Sequence, residues 1–170
     1  QDTIDLIRLW IHEVDRVFGD RMINKQDKGV LNDLCVAEAV KMKVKEKDIM
    51  NVERLLFGDY FAGIDGENRP YVQITDLDKL LENVTEFLED YNSLTKHPMK
   101  LVMFLDACDH VNRICRVLRR PLGNALLLGV GGSGRQSLTK LSTFMSSYKI
   151  FQIEVVKGYS MRDWRDNLKF

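Results

Sequence analysis

One stretch constrains the fold of this chain more than any other: residues 124–138, with the sequence NALLLGVGGSGRQSL. An apolar run at residues 125–128 leads into a glycine-rich turn, and an amphipathic segment follows from Leu138. Strand, loop and helix in this order form the context that a phosphate-binding loop requires. We therefore predict that the chain folds as an α/β protein around this loop.

The spacing of the glycines points to anion binding, with departures at the positions that follow. The loop fits G-x-x-x-x-G with Gly129 and Gly134 at its ends, and such glycines let backbone N–H groups approach an anion. The next helix adds the positive end of its dipole. However, Arg135 stands where the usual pattern has lysine, Gln136 where it has Ser or Thr, and Ser137 comes one position later.

The composition argues against several classes of protein. Basic and acidic residues number 25 each, whereas nucleic-acid-binding domains usually carry a basic excess. No apolar run approaches the roughly 20 residues that span a membrane, and the first residues lack a signal-peptide pattern. The three cysteines have no C-x-x-C spacing, which fits a reducing compartment and argues against disulfides or zinc. We therefore expect neither nucleic acid nor a membrane as a partner.

Hydrophobic periodicity predicts a largely helical region before the loop. The predicted helices cover residues 3–18, 30–42, 76–91 and 101–118, with Asp76 as one cap and Asp2 or Thr3 as another. The predicted loops cover residues 24–29 and 63–70, and short extended or apolar pieces cover residues 55–61 and 71–74. Arg8, His12, Asp15 and Arg16 lie off the apolar stripe of the first helix, which predicts a solvated face.

Residues 101–106 look like a Walker B strand, but two observations favour a helix. The apolar stripe continues to Leu118, and the segment precedes the loop instead of following it. After the loop, we predict a helix at residues 136–147, a strand at residues 150–155 and a helix capped by Ser160. Because an α/β nucleotide-binding sheet needs more strands than these, we expect the sequence to be a fragment of a longer protein.

Several stretches carry a resemblance to a known family. GNALLLGVGGSGRQSLTKL and FQIEVVKGYSMRDWRDNLK closely resemble the fourth AAA+ module of the dynein heavy chain motor ring. LIRLWIHEVDRVFGDRM and LLFGDYF resemble the helical lid of the third module, and MKLVMFLDACDHVNRICRVLRRPLGN resembles the helix leading into the fourth. The resemblance covers roughly the whole chain and is weakest around residues 24–50. The loop form GVGGSGRQS is similar to that of the axonemal heavy chains.

The resemblance implies two parts of AAA+ P-loop modules. Residues 1–96 would be the helical lid-like region and connector, and residues 97–170 the start of an incomplete Rossmann-like α/β core. The implied parent protein is an ATP-driven motor that walks toward the minus end of microtubules, with microtubules and other dynein chains as partners. The implied location is the cytoskeleton of the cilium or flagellum, within the axoneme. The chain has no Walker B acid, sensor or arginine finger for this loop, so we predict no catalytic residue and no ATPase activity of its own.

The resemblance also implies a site for ADP or ATP. Its nucleotide-binding residues would be Gly129, Gly131, Gly132, Ser133, Gly134, Arg135, Gln136 and Ser137. A guanidinium is planar and larger than an ammonium, and Gln136 lacks the hydroxyl that normally contacts Mg²⁺. We therefore expect binding in a structural or regulatory role, with weak or no hydrolysis. Mg²⁺ would be held weakly if at all, by Gln136 or Ser137.

Two alternatives stay open at this point. The first is a degenerate, nucleotide-free loop in a structural module that joins two ring modules. The second concerns Arg8, because AAA+ lids often present an arginine to the nucleotide of their own module. Arg8 is our candidate for this sensor-2 role in the third module, and a surface arginine is the alternative.

Overall fold

The described part of the chain is mostly helical, with one short antiparallel hairpin. The computed structural model describes residues 3–50, 54–61 and 69–169. Within these ranges the helices are α1 (Thr3–Val17), α2 (Lys25–Lys41), α3 (Glu46–Met50), α4 (Leu77–Leu94), α5 (Leu105–Arg119), α6 (Arg135–Met145) and α7 (Met161–Asn167). A 3-10 turn at Gly19–Arg21 follows α1, and the strands are β1 (Leu56–Gly58) and β2 (Val72–Ile74). No helix in the described ranges is both long enough and apolar enough to cross a bilayer.

The larger hydrophobic core joins the hairpin to α4, α5 and α6. β1 and β2 pair antiparallel, with Leu56 opposite Ile74. The buried residues of this core are Leu56, Tyr60, Ile74, Leu80, Val84, Phe87, Leu88, Cys108, Val111, Cys115, Leu141 and Met145. Burying an aliphatic or aromatic side chain of this size contributes about 1.5–3 kcal/mol. The core therefore fixes α6, the helix that follows the glycine loop, against α5 and the hairpin.

The smaller core packs α1 against α2 and α3. Its buried residues are Ile7, Ala39, Val44 and Ile49. Charged side chains connect this unit to the larger core, because Arg116 of α5 donates to Glu13 of α1 through Nε at 2.9 Å. Arg120 donates to the same carboxylate at 2.8 Å. The larger core draws residues from both sides of the predicted boundary at residues 96 and 97, so the two-part division stays a proposal.

The helix caps show where the sequence patterns were right and wrong. Asp76 accepts from the backbone N–H of Lys79 at 2.9 Å, and Ser160 forms a capping box with Asp163, which confirms both predicted caps. The predicted loop at residues 24–29 is wrong, because Asn24 caps α2 by accepting from the N–H of Asp27 at 2.7 Å. Asp2 and residues 63–68 of the predicted loop at 63–70 lie outside the described residues.

α5 is shorter than predicted and the two strands flanking the loop do not form. α5 begins at Leu105 and not at residue 101, so Asp106 lies in its first turn and not at the end of a strand. Residues 125–128 and 150–155 are in no strand, and both strand predictions are wrong for this structure. A strand is stabilised by hydrogen bonds to a neighbouring strand, and no described segment pairs with either stretch.

Candidate functional site

The phosphate loop, residues 129–137, is a tight turn that ends in the first turn of α6. Gly132 and Gly134 have φ values of +78° and +77°, in the left-handed region that side-chain-bearing residues rarely adopt. Gly134 is the N-cap of α6, and its carbonyl accepts from the N–H of Leu138 at 2.9 Å. The backbone N–H of Ser133 donates to the carbonyl of Val130 at 3.3 Å. The turn therefore requires glycine at positions 132 and 134.

The loop presents bare backbone to open space. A Cβ atom built on Gly131, Gly132 or Gly134 would meet no heavy atom within 4 Å. The first N–H groups of a helix have no partner within the helix, and they carry the positive end of its dipole. Because the backbone is accessible at the N-terminus of α6, the residues present fit a phosphate group.

Arg135 contacts the loop's own backbone. Its Nη2 donates to the carbonyl of Val130 at 3.0 Å, and its Nη1 lies 3.4 Å from the carbonyl oxygen of Leu127. A Cβ on Gly129 would come within 2.9 Å of Ser133 Oγ and 3.4 Å of Arg135 Cδ. Gly129 therefore leaves room for these two side chains, and the guanidinium joins the start of the loop to its end.

A groove of about 1110 Å³ runs past the loop, and its charge favours an anion. Lys140 and Lys149 line it together with residues 131–137 and the apolar Leu127 and Ile150. None of the described residues that line it is acidic. Clefts lined by charges of one sign attract ligands of the opposite sign, so the groove suits a phosphate-bearing ligand.

The structure gathers most of the predicted nucleotide-binding residues at this groove. Residues 131–137 line it, with Gln136 exposed and Ser137 half-buried, whereas Gly129 lies behind Ser133 and Arg135. The sequence patterns do not predict Lys140 or Lys149 as site residues. Lys140 stands four positions after Gln136, on the same helix face, and that spacing is the signal that could have found it.

Arg8 connects three elements away from this groove. Its Nη2 donates to the carbonyl of Asp48 at 2.6 Å, and its Nη1 donates to Gln73 Oε1 at 3.4 Å. These bonds tie α1 to α3 and to β2. The sensor-2 role of Arg8 toward a nucleotide of the preceding module stays a prediction, and these contacts show a structural role beside it.

The predicted solvated face of α1 is wrong for His12 and Arg16. His12 is buried, with Nδ1 at 2.9 Å from the carbonyl oxygen of Leu55 and Nε2 at 3.1 Å from the Tyr71 hydroxyl. Burial lowers the pKa of His12. The side chain of Arg16 is only 10% exposed and lies 3.7 Å from Asp109 of α5. These residues face the hairpin and α5, which periodicity within α1 alone cannot reveal.

A glycine loop at a helix N-terminus, in a basic groove, is the arrangement of a P-loop protein. The family described as "P-loop containing dynein motor region D4" matches residues 99–170, and the family described as "AAA+ lid domain" matches residues 1–55. The chain is 44% identical over 182 residues to human "Dynein axonemal heavy chain 3", covering 99% of the chain. It is 41% identical over 169 residues to mouse "Dynein axonemal heavy chain 1" and 42% identical over 183 residues to mouse "Dynein axonemal heavy chain 12".

The chain belongs to the dynein heavy chain family, and it is homologous to axonemal members over nearly its whole length. It spans about 4% of the length of the heavy chain 1 and 3 relatives and 6% of heavy chain 12. The family and the fold class predicted from the sequence are thereby confirmed.

Proposed function

We propose that this chain is a segment of the motor ring of an axonemal dynein heavy chain, whose phosphate loop binds ADP or ATP in a structural or regulatory role. The observation that supports this most is the open backbone at the N-terminus of α6, where a Cβ on Gly131, Gly132 or Gly134 would meet nothing within 4 Å. The basic lining of the groove adds to it. Such a site binds a phosphate through N–H groups and the helix dipole.

Both backbone groups and side chains would take part in binding the phosphate. The N–H groups of residues 131–136 would hold the phosphate, and Lys140 and Lys149 would offset its charge. Arg135 would keep the loop closed through its contacts with the backbone carbonyls of Leu127 and Val130. A bound nucleotide would bring negative charge to the loop, and ATP would bring more of it than ADP. Phosphoryl transfer depends on metal-neutralised charge, and a neutral amide at position 136 supports metal binding poorly, so hydrolysis at this loop would be weak or absent.

Membership of the family supports a proposal for the role of the parent protein. Residues 1–96 would form the lid and connector of the third AAA+ module, and residues 97–170 the start of the fourth. The whole heavy chain would then be an ATP-driven, minus-end-directed microtubule motor of the ciliary or flagellar axoneme. Its partners would be microtubules and other dynein chains.

Hydrogen–deuterium exchange during an ADP titration tests the nucleotide role at the loop itself. In the heavy chain that contains this sequence, we expect ADP to slow exchange of residues 131–138 in a saturable way. A local readout is needed because other modules of a ring bind nucleotide too. Unchanged exchange of these residues at millimolar ADP would refute the proposal.

A nucleotide-free structural module is the second candidate. Two observations favour it: Arg135 is engaged with backbone carbonyls, and position 136 carries no hydroxyl. It predicts no ADP-dependent protection at residues 131–138, so the same titration separates the two functions.

A further inference from the structure

The charges on α6 are arranged against its dipole. Its first turn carries Arg135 and no acidic residue, and its last turn carries no basic residue. A helix dipole favours negative charge near the N-terminus and positive charge near the C-terminus. α6 therefore has no basic side chain of its own in its last turn, where the helix dipole favours positive charge.

Arg69 supplies that charge from the hairpin, 76 residues earlier in the chain. Its Nη2 donates to the carbonyl of Met145, the last residue of α6, at 2.7 Å. Its Nε donates to the carbonyl of Asp59 at 3.1 Å, and its side chain is only 17% exposed. The guanidinium thus satisfies a carbonyl that the helix leaves without an internal partner.

Neighbouring residues hold Arg69 in this place. The carboxylate of Asp59 lies 3.7 Å from Arg69 Nη2 and accepts from Arg119 Nη1 at 2.7 Å. Arg119 Nη1 also donates to the carbonyl of Arg69 at 2.9 Å, and its guanidinium lies 5.4 Å from the centre of the Tyr71 ring. The hairpin and α5 therefore both fix the arginine that contacts α6.

We propose that Arg69 is a positioning residue for the phosphate loop. From the hairpin it holds the C-terminal end of α6, and it thereby sets how firmly the N-terminal end presents its N–H groups to a phosphate. α6 has 11 residues and is about 16 Å long. Because a helix this short moves as one unit, a displacement of its C-terminal end also displaces its N-terminal end. This inference rests on the proposed nucleotide binding, and it makes the hairpin a physical link between the lid helices and the loop.

Hydrogen–deuterium exchange of the whole heavy chain tests this, with and without ADP. Arg69→Met removes the charge and both hydrogen bonds. We expect exchange at residues 146–148 to become about five- to thirtyfold faster. We also expect the ADP concentration that half-protects residues 131–138 to rise about three- to tenfold. A role confined to packing of the hairpin would not change that concentration.

Two further variants make the result specific to the contact with α6. Arg69→Lys keeps the positive charge but cannot contact both carbonyls, so it should recover affinity for ADP to within about threefold of the wild type, with faster exchange at residues 146–148. Arg119→Met removes the hydrogen bonds of Arg119 with Asp59 and with the carbonyl of Arg69, and it leaves the contact between Arg69 and Met145 in place. Because Arg119 holds Arg69 in place but does not contact Met145, we expect a smaller acceleration at residues 146–148 than Arg69→Met gives, about two- to fivefold.

The outcomes separate this inference from the proposed function. If the wild type shows no ADP-dependent protection at residues 131–138, the proposed function fails and this inference fails with it. If the wild type is protected and Arg69→Met is half-protected at the same ADP concentration, only the inference is wrong. If Arg69→Met does not fold, Arg69→Lys decides: wild-type exchange at residues 146–148 in that variant would overturn the inference.

Discussion

At the scale of single residues, Arg135 carries the main departure from a standard phosphate loop. Its guanidinium donates to the carbonyl of Val130, so its removal should loosen the loop even without ligand. For Arg135→Ala we expect about five- to tenfold faster amide exchange at Ser133, whose N–H donates to the same Val130 carbonyl, in the absence of ADP. A side chain that only binds phosphate would leave the ligand-free exchange unchanged, and that result would contradict a loop-closing role for Arg135.

A second prediction at this scale concerns Gln136 and the metal dependence of nucleotide binding. A neutral amide at this position replaces the hydroxyl that contacts Mg²⁺ in the usual loop, so ADP affinity of the wild type should be nearly the same with Mg²⁺ or with EDTA. Gln136→Thr should make the affinity Mg²⁺-dependent, by on the order of tenfold. The titration of protection at residues 131–138 measures both. Gln152→Thr, a matched change elsewhere in the groove, should leave the Mg²⁺ dependence as in the wild type.

His12 links stability to pH. Burial lowers its pKa from the ordinary value of 6.5, with Arg16 and Arg116 acting in the same direction and the Leu55 carbonyl and Glu13 opposing. The unfolded chain therefore binds more protons below about pH 6.5 than the folded chain does. We expect the urea midpoint to fall between pH 7.5 and pH 5.5, and this fall to be smaller in His12→Gln. A fall of equal size in both proteins would show that another group titrates.

At the scale of elements, charged side chains join α1 to α5. Arg116 and Arg120 both donate to Glu13 and lower its pKa to about 2. Because the folded pKa lies below the ordinary value of 4.5, this contribution to stability is complete above about pH 4.5 and is lost as pH falls toward 2.

Glu13→Gln tests the contact between α1 and α5. It should lower the free energy of unfolding at pH 7 by about 1–3 kcal/mol, because it leaves two arginines without their carboxylate. Glu38→Gln removes an exposed i,i+3 pair with Lys41 and should cost less than about 0.5 kcal/mol. Equal costs in urea unfolding would mean that the contact adds nothing beyond a surface pair.

The sequence predicts helices and caps better than it predicts strands. The caps Asp76 and Ser160 are predictable from the sequence because a cap acts within three residues of its own helix. Asn24 carries the same signal, yet the polar run around it favoured a loop. Residues 125–128 have strand composition, but a strand depends on a partner that no local pattern supplies.

In the candidate site, too, the local motif is predictable from the sequence and the long-range contacts are not. The glycine loop was visible because its spacing encodes the turn directly. The contacts of Arg69 with Met145 and of His12 with Tyr71 span 76 and 59 residues, and only the tertiary fold brings them together.

At the scale of the whole molecule, a series of contacts runs from α1 of the lid to the C-terminal end of α6, the helix that follows the phosphate loop. His12 of α1 contacts Tyr71, Tyr71 lies under Arg119, and Arg119 contacts Arg69, which holds α6. Each step joins two different elements, so these contacts connect α1 and the hairpin to the C-terminal end of α6. Such a chain is a candidate for coupling only if both ends respond together, which the ADP-dependent exchange of the Arg69 variants measures.

The exposed apolar stretch at residues 125–128 predicts how copies of this chain behave in solution. Leu126 and Leu128 are 84% and 82% exposed, and no strand among the described residues covers them. Exposed, unpaired apolar segments promote association between chains, so the 170-residue chain should associate as its concentration rises.

Sedimentation velocity measures this association. Leu126→Lys with Leu128→Lys should shift the distribution toward the monomer at concentrations where the wild type associates, because two charges oppose contact through this stretch. Both positions are exposed, so the free energy of unfolding should change by less than about 0.5 kcal/mol. Ile23→Lys with Leu94→Lys adds the same charge at two other exposed apolar positions. An equal shift in both double variants would mean that net charge, and not residues 125–128, controls association.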